Sequence, residues 1–297
     1  MGKTTKKERR LYRQEFKEAV KMELAEHKSS FIVYTVLRVM VILTMIRQFF
    51  LGNYEGFFLC ILTLMLLIAP SVIQVRFRIE LPKTLEIVIM LFAFSAEILG
   101  EINAFYIIIP GWDTILHTLN GFLAAAVGFS LVVLLNDNEN LNFTLSPVFI
   151  VIVAFSFSMT IGVLWEFFEC FMDTVFRLDM QKDTIIHTIT SVMLDPAGRN
   201  TPVSIKDISD VIVDGQNLGL GGYLDIGLLD TMKDLFVNFI GAAIFSVLGF
   251  VYLKNKGRGR VAGKFIPRKK DADKDYLQQV RDKNSIQLIT QEEKPKE

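Results

Sequence analysis

Long apolar blocks, each about as long as a bilayer is thick, alternate with polar connections along most of the chain. A helix needs about 20 mostly apolar residues to cross a membrane. Six blocks approach or exceed that length: 31–51, 56–75, 83–100, 114–135, 147–172 and 231–253. They are continuously apolar rather than alternating, which favours helices over a barrel. The pattern predicts an all-α integral membrane bundle with about six transmembrane helices.

The two ends of the chain are polar and are expected to lie outside the membrane. Residues 1–30 form a basic leader whose apolar side chains recur every four residues, a spacing typical of an amphipathic helix on a membrane surface or in solvent. The tail, 254–297, is charged and poor in large apolar residues, which predicts a mostly disordered segment. The membrane domain, 31–253, includes a long connection at 173–230, in which 183–194 is interpreted as a short amphipathic segment.

Basic residues concentrate on one side of the predicted bundle. The leader, the tail and the second loop, with Arg76, Arg78 and Lys83, are rich in Lys and Arg, whereas the third loop, 101–112, has none. Basic loops stay in the cytoplasm, and an even number of spans returns the chain to its starting side. Both termini are therefore predicted to be cytoplasmic. The loop 136–142 is acidic although this topology places it in the cytoplasm, but acidic residues weigh little in this rule.

The composition agrees with a membrane protein and excludes several other classes. Hydrophobic residues make up 51% of the chain, and its mean hydropathy is +0.39. The two cysteines, Cys60 and Cys170, lie inside apolar blocks, so neither a disulfide framework nor a thiolate metal site is indicated. No nucleotide loop, catalytic serine motif or nucleic-acid module is present. Membrane lipids are the expected partners, and nucleic acid is not.

Polar side chains interrupt the apolar blocks at four helix ends. Residues three or four apart share one face of a helix, and the polar residues follow that spacing. The stripes are Glu97 and Glu101, then Asp113, His117 and Asn120, then Glu166, Glu169 and Asp173, and finally Asp230, Asp234 and Asn238. The parity of the spans brings all four stripes to the outer side. The sequence therefore predicts a shared polar pocket in the outer leaflet.

Such a pocket is expected to be a cup that opens outward. An ionised Asp near the centre of a span costs roughly 2.5–3.5 kcal/mol, so these groups should face the bundle interior. At 1.5 Å per residue, Asn238 should lie on the order of 12 Å below Asp230. Clustered carboxylates repel one another unless they share a proton or a cation. Arg38 and Arg47 of the first span are candidate counter-charges, and the alternative for Arg47 is that its side chain extends to the headgroups.

The donor types suit a hard or borderline divalent cation, and Mg, Mn, Zn and Fe are all compatible. A bound cation would acidify a water molecule and polarise a phosphoryl or carbonyl oxygen. His117 or Glu166 would then act as general base or acid. The candidate metal ligands are Asp113, His117, Glu166, Glu169, Asp230 and Asp234, and the surrounding polar network is Asn120, Asp173 and Asn238.

Three functions follow from such a site. The first is a metal-assisted enzyme that acts on an envelope lipid or a lipid-linked substrate. The second is a cation- or proton-coupled transporter, against which the chain shows no paired repeat and no broken half-helices. The third is a non-catalytic envelope module in which the polar network fixes helix packing.

Three motifs resemble those of the YjdF-like family of bacterial inner-membrane proteins, whose function is not established. They are WDTILHTLNG (112–121), WEFFE (165–169) and DTMKDLFVNFIGA (230–242), in the fourth to sixth spans. The resemblance implies a bacterial cytoplasmic membrane and a polar intramembrane site, but no reaction. The pattern D-x-x-x-N-x-x-G from Asp234 also looks like the end of VanZ-like membrane proteins, which are associated with glycopeptide resistance. Those proteins have an acid followed by His and Gln where this chain has WEFFE.

Overall fold

A computed structural model of the protein describes residues 6–136, 145–259 and 261–292. Most of these residues are helical, and a π-helix, Ser95–Ile102, continues α4 without a break. Most of the predicted acidic loop at 136–142 lies outside the described residues. The α-helices are α1 Lys6–Glu26, α2 Lys28–Phe50, α3 Tyr54–Phe77, α4 Lys83–Phe94, α5 Phe105–Ile108, α6 Trp112–Asn136, α7 Pro147–Phe176, α8 Leu228–Lys254 and α9 Tyr276–Glu292.

Among the described residues, five helices are long and apolar enough to cross a membrane: α2, α3, α6, α7 and α8. They coincide with five of the six predicted spans, and the prediction of a multi-pass helical membrane protein is confirmed. The remaining predicted span, 83–100, corresponds to α4 together with the π-helix. α4 alone has 12 residues, and the π-helix adds eight.

The pairing of the chain ends shows that this composite helix also extends between the two ends of the bundle. Arg281 of α9 lies 3.5 Å from Glu15 of α1, and β1 (Ile79–Glu80), which follows α3, pairs with β8 (Arg268–Lys269) of the tail. Both ends and the α3–α4 connection therefore share one face of the bundle, the terminal face. The starts of α6 and α8 meet at the opposite face, the loop face, which carries the long connection. The chain passes from β1 to α6 through α4 and the π-helix, so this segment runs from one face of the bundle to the other.

Local sequence explains where two of the crossing helices begin. The side chain of Asn53 accepts a hydrogen bond from the Gly56 backbone N–H at 3.0 Å, which caps α3. The hydroxyl of Ser146 accepts one from the Phe149 N–H at 3.2 Å and caps α7. Pro147 follows directly, at the first helical position, where its missing N–H costs nothing.

The crossing helices form two groups, each with its own apolar core. α2, α3 and α4 pack around buried residues that include Val41, Leu67 and Met90. α6, α7 and α8 pack around Phe129 and Phe245 together with small alanines, which let the helices approach closely. The second group carries three of the four predicted polar stripes, so its packing determines the geometry of the site.

The basic leader is a helix, as predicted, and the second half of its apolar face is covered by protein. Ala19 and Val20 of α1 are buried against Val75 of α3 and Leu277 of α9. The leader therefore packs on the terminal end of the bundle, rather than lying with its apolar face on lipid or standing free in solvent.

The tail, expected to be mostly disordered, forms β8 and α9 within residues 261–292. Its few apolar side chains are spaced for one helix face, since Leu277 and Val280 are both buried. Lys270 forms an almost fully buried ion pair with Glu23 of α1. Burial raises the pKa of Glu23 to about 7, although Lys270 opposes the shift. These contacts join segments far apart in sequence, so the tail's composition gave no sign of them.

The long connection is folded into short antiparallel strand pairs. The segment 183–194, interpreted as a short amphipathic segment, forms β2, β3 and a 3-10 turn. Its strands pair with residues well downstream in the same connection. The pairs are β2 (Ile185–Ile186) with β7 (Tyr223–Leu224), β3 (Ile189–Ser191) with β4 (Val203–Ile205), and β5 (Ile212–Val213) with β6 (Gln216–Asn217).

Candidate functional site

His117 lies between two aspartates at the loop-face end of the α6–α8 pair. Its Nε2 is 3.3 Å from Oδ1 of Asp113 and 3.7 Å from Oδ2 of Asp234. One ligand atom from each of the three residues lies within 4.8 Å of the others. Metal–ligand bonds of about 2.0–2.2 Å place the donors around one ion roughly 3–3.5 Å apart. Small side-chain movements would therefore close this group around a cation.

Two helices supply this group, and glycines let them meet. Asp113 and His117 are one turn apart on α6, and Asp234 lies on the facing side of α8. At Gly121 of α6, a Cβ atom would lie 2.1 Å from the carbonyl oxygen of Asn238, which no side chain could accommodate. The close backbone approach at Gly121 thus brings the two polar stripes into contact range.

Lys233 is a part of the site that the sequence analysis missed. Its ammonium lies 3.1 Å from Oδ2 of Asp113, 3.0 Å from Oδ1 of Asp230 and 3.5 Å from Oδ1 of Asp234. Asp113 and Asp234 each have one oxygen towards His117 and the other towards Lys233. The two aspartates therefore lie between two basic side chains.

α7 contributes two glutamates to the inner side of the site. Oε1 of Glu166 is 3.9 Å from Nδ1 of His117, and Oε1 of Glu169 accepts a hydrogen bond from the Trp165 indole N–H at 2.8 Å. The second oxygen of each glutamate is buried and has no hydrogen-bond partner among the described residues. Buried carboxylate oxygens are normally satisfied, so these two oxygens have unused capacity for a proton or a cation.

Two asparagines close the floor of the site. Asn120 Nδ2 donates to Oδ1 of Asn238 at 3.2 Å. The amide nitrogen of Asn238 also lies 3.5 Å from the backbone carbonyl oxygen of Ser158. The hydroxyl of Ser158 in turn donates a hydrogen bond to the Gly121 carbonyl at 2.7 Å. A Cβ atom on Gly162 of α7 would lie 2.7 Å from the Asn238 amide nitrogen. The floor therefore links all three helices of this group.

Apart from Asp230, which the backbone of Lys182 covers and which is 12% exposed, the exposure of the side chains on α6 and α8 decreases from the loop face inward. The Lys233 side chain is 45% exposed, that of Asp113 25%, that of His117 12% and that of Asp234 1%. Asn238, one turn deeper, is also buried. The gradient agrees with the cup that the helical spacing predicted, with its mouth at the loop face.

Other residues of the predicted stripes lie at or beyond the edge of the cup. The carboxylate of Asp173 accepts hydrogen bonds from the Met180 and Gln181 backbone N–H groups at 2.7 and 2.8 Å, so it anchors the loop that follows α7. Asp230 lies on the rim, where its second oxygen accepts from the Lys182 N–H at 2.9 Å.

The counter-charges proposed from the first span lie elsewhere. Arg38 donates to the Tyr34 hydroxyl at 2.7 Å, and Arg47 is exposed on α2, a helix that packs with α3 and α4. Glu97 and Glu101 lie on the π-helix, and among the described residues they form no ion pair with the cup. The positive charge for which Arg38 and Arg47 were candidates is supplied by Lys233.

The acidic groups of the cup outnumber its basic groups. The carboxyl groups are Asp113, Glu166, Glu169, Asp230 and Asp234, and the basic side chains in contact with them are His117 and Lys233. Even with His117 protonated, five carboxylates would face two cations. The described groups alone therefore leave room for further positive charge, as protons or as a metal cation.

A family model described as "Predicted membrane protein (DUF2238)" matches residues 30–255 of the chain. The match includes every residue of the cup and most of the membrane bundle, and it leaves out α1 and the tail. No curated protein and no solved structure matches the chain. The likeness to VanZ-like proteins is not shown by these comparisons.

Proposed function

The chain belongs to the DUF2238 family of predicted membrane proteins, the YjdF-like family that its motifs resemble, and from that premise we propose that its cup is a divalent-cation site. Asp113, His117 and Asp234 are the proposed ligands. The bound cation would assist a reaction on a lipid or a lipid-linked substrate in the leaflet at the loop face.

One observation carries this proposal: an imidazole and two carboxylates from separate helices bring their donor atoms within 4.8 Å of one another inside a membrane bundle. Polar groups at this depth are costly and usually mark function. The donor set suits Mg, Mn, Zn or Fe. The surplus of carboxyl groups and the unpartnered oxygens of Glu166 and Glu169 support a cation further.

The residues around the proposed ion have distinct chemical roles. A divalent cation supplies Lewis acidity and lowers the pKa of a bound water. Glu166 faces the ring nitrogen of His117 that points away from the aspartates, and in metal sites such a carboxylate orients the imidazole. With one oxygen unpartnered, Glu166 is also the proposed general base or acid, a role that His117 could take if it does not bind the ion.

The proposed setting is the bacterial cytoplasmic membrane, with both termini in the cytoplasm and the cup open to the outer leaflet. Arg76, Arg78 and Lys83 adjoin the terminal face, which supports this orientation. Membrane lipids are the proposed partners. Trp165, next to Glu166 in sequence, is 43% exposed on the outside of the bundle, so a single helix separates the cup from lipid.

Two other functions are weaker fits to the geometry. A transporter needs a polar path through the bundle, but below Asn238 the three helices close on an apolar core that includes Ala125, Phe129 and Phe245. A purely structural network would be expected to satisfy its buried oxygens internally, whereas those of Glu166 and Glu169 have no partner among the described residues.

Metal analysis of the purified full-length protein tests the proposal. Wild-type protein should retain about one equivalent of a divalent metal, or bind Mn²⁺ at that ratio after chelation and reloading. His117→Ala and Asp234→Asn should lose the site while the fold is kept. Asp173→Asn is the matched control, because Asp173 lies on the same face of α7 as Glu169 but anchors the loop.

The outcomes separate the three functions. Wild-type protein that neither retains a metal nor binds Mn²⁺ would overturn the cation site and favour the structural module. If the metal binds, lipid composition in cells that produce wild-type protein or His117→Ala tests the reaction. A lipid species that changes only with the wild type supports an enzyme. Unchanged lipids together with cation flux in proteoliposomes would favour a transporter.

A further inference from the structure

Lys233 neutralises the same two aspartates, Asp113 and Asp234, that the proposed cation would bind. Its ammonium contacts Asp113 and Asp234 through the carboxylate oxygens that do not face His117. A cation held by His117 and these two aspartates would share both carboxylates with the ammonium. Two positive groups on the same pair of carboxylates repel each other, and the repulsion is strong where water is scarce.

The structure also provides an alternative position for the ammonium. Asp230 lies 3.0 Å from Nζ of Lys233 and one turn closer to the loop face. The Lys233 side chain is 45% exposed, whereas the side chain of Asp234 is 1% exposed. A small rotation of the flexible lysine would therefore leave the ammonium on Asp230 or in water and free both inner aspartates.

From these contacts we infer that Lys233 is an internal counter-ion that holds the cation site closed, and that a divalent cation must displace it from Asp113 and Asp234 to bind. This inference rests on the proposed function, since it concerns how the same site is regulated. Binding to Asp113 and Asp234 is a competition, so the affinity for the metal depends on how strongly the lysine is held. The lysine thus keeps the acidic cup stable when no metal is available.

Substitution of Lys233 tests the competition directly. Lys233→Met keeps much of the aliphatic side chain and removes the charge, so Mn²⁺ should bind about ten-fold more tightly or better, within the usual range of coupling between sites. Lys233→Arg keeps the charge and should bind Mn²⁺ like the wild type or more weakly. Lys182→Met is the matched control, because the Lys182 side chain is 47% exposed and pairs with Asp179 rather than with the inner aspartates. Its affinity should be unchanged.

Lysine labelling of the wild-type protein gives a second readout that does not depend on the variants folding. An amine-acylating reagent reacts with the neutral amine, and neighbouring carboxylates favour the charged form. Displacement from two carboxylates should therefore make Lys233 react several-fold faster when Mn²⁺ is present. The rate at Lys182 should stay the same. Peptide mass spectrometry of full-length protein in detergent measures both rates in one sample.

Each outcome decides between the claims. If wild-type protein binds Mn²⁺ but Lys233→Met binds it equally or less tightly, and the labelling rate does not rise, Lys233 is not a competing cation and only this inference fails. If neither the wild type nor Lys233→Met binds Mn²⁺, the proposed function fails and the inference fails with it. Tighter binding by Lys233→Met together with faster labelling supports both.

Discussion

Gly241 of α8 lies directly against the carbonyl oxygen of Thr118 of α6, so closely that a Cβ atom on Gly241 would stand 1.9 Å from that oxygen. Thr118 follows His117 in sequence, and Gly241 is two turns deeper than Asp234 on the same helix. The crossing of the two backbones therefore fixes how His117 and Asp234 face each other. Helix packing and site geometry are thus set by the same contact.

Replacing Gly241 by Ala should destabilise the bundle, because the new methyl group meets backbone that cannot move aside. Overpacking of this kind costs about 1–3 kcal/mol and occasionally more. The apparent melting temperature in detergent should fall, and Mn²⁺ binding should weaken because the helices are pushed apart. Gly263→Ala is the control, since a Cβ there would be 3.6 Å from the Tyr252 ring, an ordinary contact. Equal melting temperatures for Gly241→Ala and Gly263→Ala would contradict the close approach of the α6 and α8 backbones.

The hydrogen bond between Asn120 and Asn238 should appear as a coupling energy. Hydrogen bonds between membrane helices are worth about 0.6 kcal/mol on average and up to about 1.7 kcal/mol. Asn120→Ala and Asn238→Ala should therefore be less destabilising together than the sum of their separate effects, by an amount in that range. Thermal melts of the two single variants and the double variant measure it.

A second double-mutant cycle, between Asn103 and Asn238, provides the control for that coupling energy. Among the described residues, the Asn103 side chain donates to the nearby Ile98 carbonyl and to no group of the cup, so Asn103→Ala should add to Asn238→Ala without coupling. Strict additivity in the Asn120 cycle as well would show that the floor of the cup contributes no specific interaction between α6 and α8.

The sequence was sufficient to predict the bundle and to bring the polar stripes of α6, α7 and α8 to one end of it. Helical spacing is a local property, and the parity of the spans needs only a count of the apolar blocks. Lys233 was missed for a physical reason. It is adjacent to Asp234, and neighbouring residues do not share a helix face, but its long side chain carries the ammonium back to Asp113 and Asp230.

Two further differences have the same origin in contacts that spacing cannot reveal. Asp173 continues the stripe of Glu169, yet it lies near the end of α7. There the backbone N–H groups of the next loop donate hydrogen bonds to its carboxylate. The folded tail contacts the leader through Glu23 and Lys270, residues near opposite ends of the chain. Neither contact can be inferred from the residue pattern of a single segment.

Asp173→Ala should loosen the loop after α7 without affecting the cation site. The substitution removes two charge-assisted hydrogen bonds to Met180 and Gln181, each worth about 1.5–3 kcal/mol. Hydrogen–deuterium exchange of these amides should rise about ten-fold or more, while Mn²⁺ affinity stays at the wild-type value. Asp179→Ala is the control, because its side chain is largely exposed. Loss of Mn²⁺ binding in Asp173→Ala would place Asp173 in the metal network after all.

Glu23 should make the stability of the terminal face depend on pH. Burial raises its pKa in the folded protein to about 7, from an ordinary value of 4.5, so the folded state holds this proton more tightly than the unfolded chain. The stabilisation is complete below pH 4.5 and is lost as the pH rises through 7. Allowing for partial solvent screening, the change is on the order of 1–2 kcal/mol.

Glu23→Gln removes this titration, so its melting temperature should fall less than that of the wild type between pH 4.5 and pH 7.5. The slopes are compared rather than the absolute values, because the variant also leaves Lys270 buried without its partner. Glu18→Gln, on the exposed side of α1, should follow the wild-type curve. Parallel curves for wild type and Glu23→Gln would mean that Lys270 keeps Glu23 ionised throughout this range, and that the ion pair joins leader and tail at every pH tested.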